Sequence, residues 1–255
     1  MDEAWLRDIA ADLRTAVLFA TRIPLPQGAP IGGADIARAA WALPVAGLLI
    51  GLLSGLAYWI ASYFRLPSFM CATLAVAASL VVTGCLHEDG LADTFDGLGG
   101  DTRAERLTIM RDSRLGTYGA CALVLSLLLR IGALASLATA ALAAPALIAA
   151  HAGARAVLPL FLALVPPART DGLAADAGRP PAKSVAAAAL IGLVLLLIDL
   201  GIARSLAALL LLAIAFAAAR WLALRLIGGQ TGDVAGALEQ ISEIVVLLVA
   251  ASGHV

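Results

Sequence analysis

Residues 44–64 read PVAGLLIGLLSGLAYWIASYF, without one charged side chain. At about 1.5 Å per residue, a helix of this length crosses the roughly 30 Å hydrocarbon layer of a bilayer. Six more apolar runs follow, at 68–86, 117–136, 145–165, 185–200, 205–227 and 234–251. Pro44, Pro67 and Pro145 are expected at or just before helix starts, where a missing N–H costs nothing, and Pro166-Pro167 closes the fourth run. The whole chain is 62% apolar and 14% charged over 255 residues, against about a quarter charged in a soluble domain. A soluble fold has nowhere to bury that excess. The expected fold is all-α: a polytopic integral membrane helix bundle of about seven transmembrane helices, a single polytopic membrane domain over 1–255. An ordinary cytosolic enzyme, a disordered chain and a nucleic-acid binder with a basic face are excluded.

Outside the spans, Trp5, Ile9, Leu13 and Val17 recur every four residues against Asp8 and Asp12, the pattern of an amphipathic helix on the membrane surface. This acidic start lacks the basic region of a cleavable signal peptide. Cys71, Cys85 and Cys121 sit in apolar stretches without a metal or redox spacing and read as small core hydrophobes. Arginines sort by loop. Arg7, Arg14, Arg22 and Arg38 precede the first span, Arg103, Arg106, Arg111 and Arg114 follow the second, and further basic residues fall in 166–184 and 220–233. The intervening loops are assigned only Arg65, Arg130 and Arg204, and Arg155 lies inside a span. The positive-inside rule places the N-terminus and 87–116 in the cytoplasm, and an odd span count places the C-terminus outside.

The acids are concentrated. Seven of the 18 acidic residues, Glu88, Asp89, Asp93, Asp96, Asp101, Glu105 and Asp112, fall directly after the second span. Asp89, Asp93 and Asp96 are spaced i, i+4, i+7, which sets three carboxylates on one helix face. Like charges stacked in this way repel unless a cation intervenes, and Mg²⁺ takes carboxylate oxygens while keeping sites for water and phosphate. A solvated acidic loop is the plainer reading; the interleaved leucines and phenylalanine, and the position at the end of a span, favour the metal. Next, Thr102 and Glu105 form a capping-box pattern for a short cytoplasmic helix. The segment Arg111-Asp112-Ser113-Arg114 supplies guanidinium forks and a hydroxyl for phosphate, with Gly116 and Gly119 permitting close backbone approach. Arg155, one turn after His151, is expected to face the bundle interior and meet an anion. Thr231 and Asp233 lie in a glycine-rich turn that opens the last helix, and Arg22 sits where the surface helix stops. Together these imply Mg²⁺-dependent phosphoryl or phosphodiester transfer.

The runs LHEDGLADTFDGLGG (86–100) and ERLTIMRDSRLGTYG (105–119) closely resemble the signature of the adenosylcobinamide-GDP ribazoletransferase, or cobalamin synthase, family. TRIPLP (21–26), LPVAGLLIGLL (43–53) and GGQTGDVAGALEQISE (228–243) extend the resemblance over most of the chain. The resemblance implies a multi-pass enzyme of the bacterial inner membrane with its active face in the cytoplasm. Such an enzyme joins adenosylcobinamide-GDP to α-ribazole or α-ribazole 5′-phosphate and releases GMP, with Mg²⁺ as cofactor. On that reading Asp89, Asp93, Asp96 and Asp233 hold the metal, and Glu88 or Asp96 takes the hydroxyl proton. Arg22, Arg111, Ser113, Arg114, Arg155 and Thr231 bind phosphate or substrate. The partners are the two substrates and the lipid bilayer, with self-association left open and no nucleic acid. Asp-Gly-Leu-Ala-Asp is also similar to the core of the CDP-alcohol phosphotransferases, but Asp93 stands where that family has arginine. An alternative of another class is a membrane transporter with Arg155 and Asp233 as coupling sites.

Overall fold

A computed structural model describes residues 3–26, 31–170 and 177–253. The described residues are helical, with one isolated bridge between Pro167 and Gln230. The helices are α1 (Glu3–Ala20), α2 (Gly33–Ala39), α3 (Leu43–Tyr63), α4 (Ser68–Thr83), α5 (Leu86–Gly97), α6 (Arg103–Ile109), α7 (Thr117–Ser136), α8 (Ala140–Leu164), α9 (Ala182–Leu222) and α10 (Gly232–Ala251). Large side chains such as Val81, Leu128, Ile198, Ile202 and Leu206 face outward, as hydrocarbon rather than water requires.

The first span starts earlier than expected. Gly33 to Tyr63 forms one continuous candidate span, through α2, a tight turn at Ala40–Ala42 and α3 with Pro44 in its first turn. α8 also starts early, at Ala140, so Pro145 lies within the helix rather than at its start. Membrane helices tolerate interior proline because neighbouring groups satisfy the freed carbonyl.

Five helical stretches are long and apolar enough to cross a membrane, six if the bent α4–α5 pair counts as one. Two places account for the difference from seven: the 16-residue α4, which counts only together with α5, and α9, which length and composition count once. At Gly201 the backbone leaves helical geometry (φ 74°, ψ 172°), and Ser205 Oγ donates to Leu196 O at 2.8 Å. Nine residues of unbroken helix would separate those two by about 13 Å. The chain therefore reverses there.

Small residues set the closest packing. Gly47, Gly51 and Gly55 lie on one face of α3 against the backbone of α8: a Cβ at Gly51 would come 2.6 Å from Ile148 Cα, and one at Gly47 would strike the His151 carbonyl. Such small-residue faces let helices approach where lipid offers no hydrophobic driving force. Gly51→Leu is expected to force α3 off α8, leaving mostly aggregated protein on size exclusion in detergent. A monodisperse Gly51→Leu peak with wild-type melting would show that contact to be dispensable.

α1 forms over the expected stretch, but one of its acids turns inward. Trp5 and Leu6 are exposed, whereas Asp12 is buried. It accepts from Arg38 Nε at 2.8 Å and Trp41 Nε1 at 2.9 Å, so its charge is matched on the protein side of the helix rather than in solvent. Of the cysteines only Cys71 is buried; Cys85 and Cys121 are exposed.

Candidate active site in a largely apolar cavity

The acidic motif forms α5, as its spacing predicts. α4 ends in two left-handed residues, Gly84 (φ 64°) and Cys85 (φ 58°), and α5 leaves at 90° to it. Glycine adopts this conformation freely; cysteine does so under strain. The side chain of Arg22 lies across Gly84, where a Cβ would meet its Nε at 2.5 Å. Without a side chain at Gly90, α5 rests on the start of α10: a Cβ there would stand 2.8 Å from Asp233 O. This contact brings residues of the acidic motif to the far end of the chain.

Asp89 is exposed and Asp93 half-buried. The Asp93 carboxyl feels the charges of Asp89, Asp96, Asp233 and Arg169. The four acids are not equivalent. Asp96 accepts from Gly116 N at 2.7 Å and Gly119 N at 2.8 Å, so it caps the N-terminus of α7. The close backbone approach that these glycines permit is thus occupied by the protein's own anion. Asp233 pairs with Arg169 Nη2 at 3.0 Å. Among the described residues, the carboxylates of Asp89 and Asp93 have no hydrogen bond or ion pair. An all-oxygen set, partly open and short of positive charge, suits a hard divalent cation such as Mg²⁺.

These carboxylates flank a cavity of about 280 Å³ lined by His87, Asp89, Arg169, Gln230, Thr231 and Asp233 among apolar side chains from α1, α2 and α8. Its rim is tied together by backbone bonds: Ala168 N to Gln230 O and Gln230 N to Pro166 O, both 2.8 Å. Arg103 Nη2 donates to Ala168 O at 2.8 Å, and Arg106 Nη1 to Leu226 O at 3.4 Å. Both arginines of α6 therefore brace the rim. Thr231 caps α10, its hydroxyl accepting from Val234 N at 3.3 Å.

Beneath the cavity lies a buried ionic cluster. Arg130 Nη1 bridges Glu88 at 3.0 Å and Glu243 at 3.1 Å. Arg155 Nη1 pairs with Glu239 at 2.6 Å, and His151 Nδ1 lies 3.0 Å from Glu243. Arg130 and Arg155 are each 1% exposed. Arg130 is thus not a loop residue, as the charge count assumed, but part of the interior of α7. Among the described residues His151, Glu239 and Glu243 are the one trio of potential metal ligands whose donor atoms all lie within 4.8 Å of one another. Guanidinium groups already neutralise both of its carboxylates, so the trio is an ion-pair core.

The remaining candidates are placed as follows. Glu88 points into the bundle toward Arg130, and Arg155 toward Glu239. Arg22, Arg111, Ser113 and Arg114 are exposed, and none of them lines the cavity. Arg114 Nε bonds Asp112 at 3.0 Å, and these hydrogen bonds hold the Asp112 carboxyl down at about 2. Residues not singled out from sequence, His87 and Arg169, do line the cavity. The clue for Glu239 and Glu243 was their i, i+4 spacing inside an apolar run, which demands buried cations.

The model of the cobalamin-5-phosphate synthase family matches residues 12–251. The chain is 54% identical to an adenosylcobinamide-GDP ribazoletransferase of Bradyrhizobium diazoefficiens, over 97% of this chain and 95% of the relative. It is 50% identical to the ribazoletransferase of Mesorhizobium japonicum, over 96% and 94%, and 49% identical to that of Azorhizobium caulinodans, over 94% and 95%. No solved structure matches. The extent of these matches, which run through every helix of the bundle from α1 to α10, means that the chain belongs to the cobalamin-5-phosphate synthase family.

Proposed function

We propose that this protein joins adenosylcobinamide-GDP to α-ribazole or α-ribazole 5′-phosphate, releasing GMP, as one multi-pass unit of the bacterial plasma membrane with the cavity on the cytoplasmic face. The observation that carries the chemistry is the surplus of carboxylate at the cavity: Asp89 and Asp233 in its lining, with Asp93 within reach of their charges, against the single guanidinium of Arg169. The carboxylate oxygens stand further apart than a ready-made ligand trio, so Asp89, Asp93 and Asp233 would draw together to hold Mg²⁺, which when bound neutralises diphosphate charge. A ribose hydroxyl of the acceptor attacks the cobinamide-linked phosphorus, and GMP leaves with the bridging oxygen. Asp89, the exposed carboxylate on the cavity wall, accepts the hydroxyl proton on a carboxylate oxygen. Arg169, freed from Asp233, turns its fork to a phosphate oxygen. Asp96 holds the start of α7 in place, and Glu88 stays in the ionic cluster. The apolar wall excludes water that would otherwise compete with the acceptor.

Purified protein in detergent is expected to release GMP from adenosylcobinamide-GDP only when α-ribazole is present, to stop on chelation and to resume with Mg²⁺. Acceptor-independent release, or activity confined to sealed vesicles, would overturn this reading.

A further inference from the structure

We propose that His87 is a fixed hydrogen-bond donor whose Nε2–H is presented to the cavity for a phosphate oxyanion, with Arg155 behind it as positioning residue; the oxyanion's identity rests on the function proposed above. His87 lies in the first turn of α5, lines the cavity and is 6% exposed. Its Nδ1 is 3.3 Å from Arg155 Nη2 and 3.5 Å from Glu239 Oε2. A guanidinium only donates, so the shorter contact needs a lone pair on Nδ1. The ring proton then resides on Nε2.

Glu239 is the weaker partner for Nδ1, because its Oε2 stands at 3.5 Å and is already engaged elsewhere. Its Oε1 pairs with Arg155, and its Oε2 accepts from Gln240 Nε2 at 3.0 Å. The two imidazoles of the cluster differ in their outer nitrogens. His151 Nε2 is fully enclosed without a partner, whereas His87 Nε2 is not among the enclosed atoms and has no protein partner among the described residues. With His87 in the lining, that nitrogen is the one left to face the cavity. Gly236 lets α10 press on the backbone of His87, where a Cβ would stand 3.3 Å from its Cα, so the ring has a rigid base. A guanidinium behind the ring polarises it through the hydrogen bond and strengthens the outer N–H as a donor. This gives Arg155, remote from the cavity lining, a route to act on substrate: through an imidazole, not by direct contact. A preorganised donor of this kind is worth most where negative charge develops.

The test uses the full chain in detergent with ¹⁵N-labelled histidine. Only three histidines are present, and the His87→Gln spectrum assigns the resonance. The proposal expects the Nε2–H tautomer, and a shift of Nε2 on adding Mg²⁺ with inorganic pyrophosphate. An Nδ1–H tautomer, or an Nε2 unmoved by saturating pyrophosphate, overturns it. In turnover, His87→Phe is expected to lose about 10²-fold in kcat with little change in KM, and His87→Gln, which keeps an N–H, to lose less. Wild-type turnover in His87→Phe overturns the proposal while the transferase reading stands. Wild-type protein that releases no GMP overturns that reading instead, and the tautomer and the pyrophosphate shift still judge the donor.

Discussion

Asp93→Asn is expected to lower turnover by at least about 10²-fold and to raise the Mg²⁺ concentration needed for half-maximal rate. Asp93 is half-buried, it feels the charges of Asp89, Asp96 and Asp233, and among the described residues it has no hydrogen bond or ion pair. Asparagine keeps the shape and removes one negative charge from the set that would hold the cation. Because no protein partner is lost, melting in detergent is expected to stay close to wild type or to rise slightly as repulsion is relieved. Asp96→Asn is the informative contrast. Its carboxylate accepts two backbone N–H groups at the start of α7, so its loss is expected to cost about 1 kcal/mol of stability with little change in the Mg²⁺ titration. If Asp93→Asn turned over normally at limiting Mg²⁺, the metal assignment on α5 would fail.

The second large effect is structural. Arg130→Met leaves Glu88 and Glu243 facing each other inside the bundle without their shared guanidinium. Removing one partner of a buried ion pair costs about 3–5 kcal/mol, because the stranded charge has lost its solvent as well as its partner. A pronounced fall in melting temperature is expected, measured by thermal denaturation in detergent. Neutralising both acids alongside it, as Arg130→Met with Glu88→Gln and Glu243→Gln, should recover much of that loss. An Arg130→Met protein as stable as wild type would mean that the cluster is not an ion-pair core.

What could be read in advance follows the range of the interaction. The helix carrying Asp89 and Asp93 and the capping box of Thr102 and Glu105 are local, set by residues within a turn or two, and they stand where the spacing puts them. α7 likewise runs from Thr117 to Ser136 as its hydropathy predicts. Roles that depend on distant partners were not legible. Gly116 and Gly119 looked ready for a phosphate because the anion they receive, Asp96, belongs to another helix. Arg130 was assigned to a loop because its acids lie on α5 and α10, and no pattern within α7 announces them. Arg169 offered no local signal at all. Its importance comes from the backbone bridge between Pro166–Ala168 and Gln230, which sets it beside Asp233.

A chain that turns back at Gly201 forms a pair of helices, and the segments before and after the pair lie at the same end of the bundle. A single crossing would have stranded Pro167 and Gln230 on opposite leaflets, about 30 Å apart. Their hydrogen bonds, and the meeting of Arg169 with Asp233 that those bonds impose, therefore depend on a glycine at the other side of the membrane. A substitution that straightened this turn would leave each half of the rim intact and simply deliver them to different compartments.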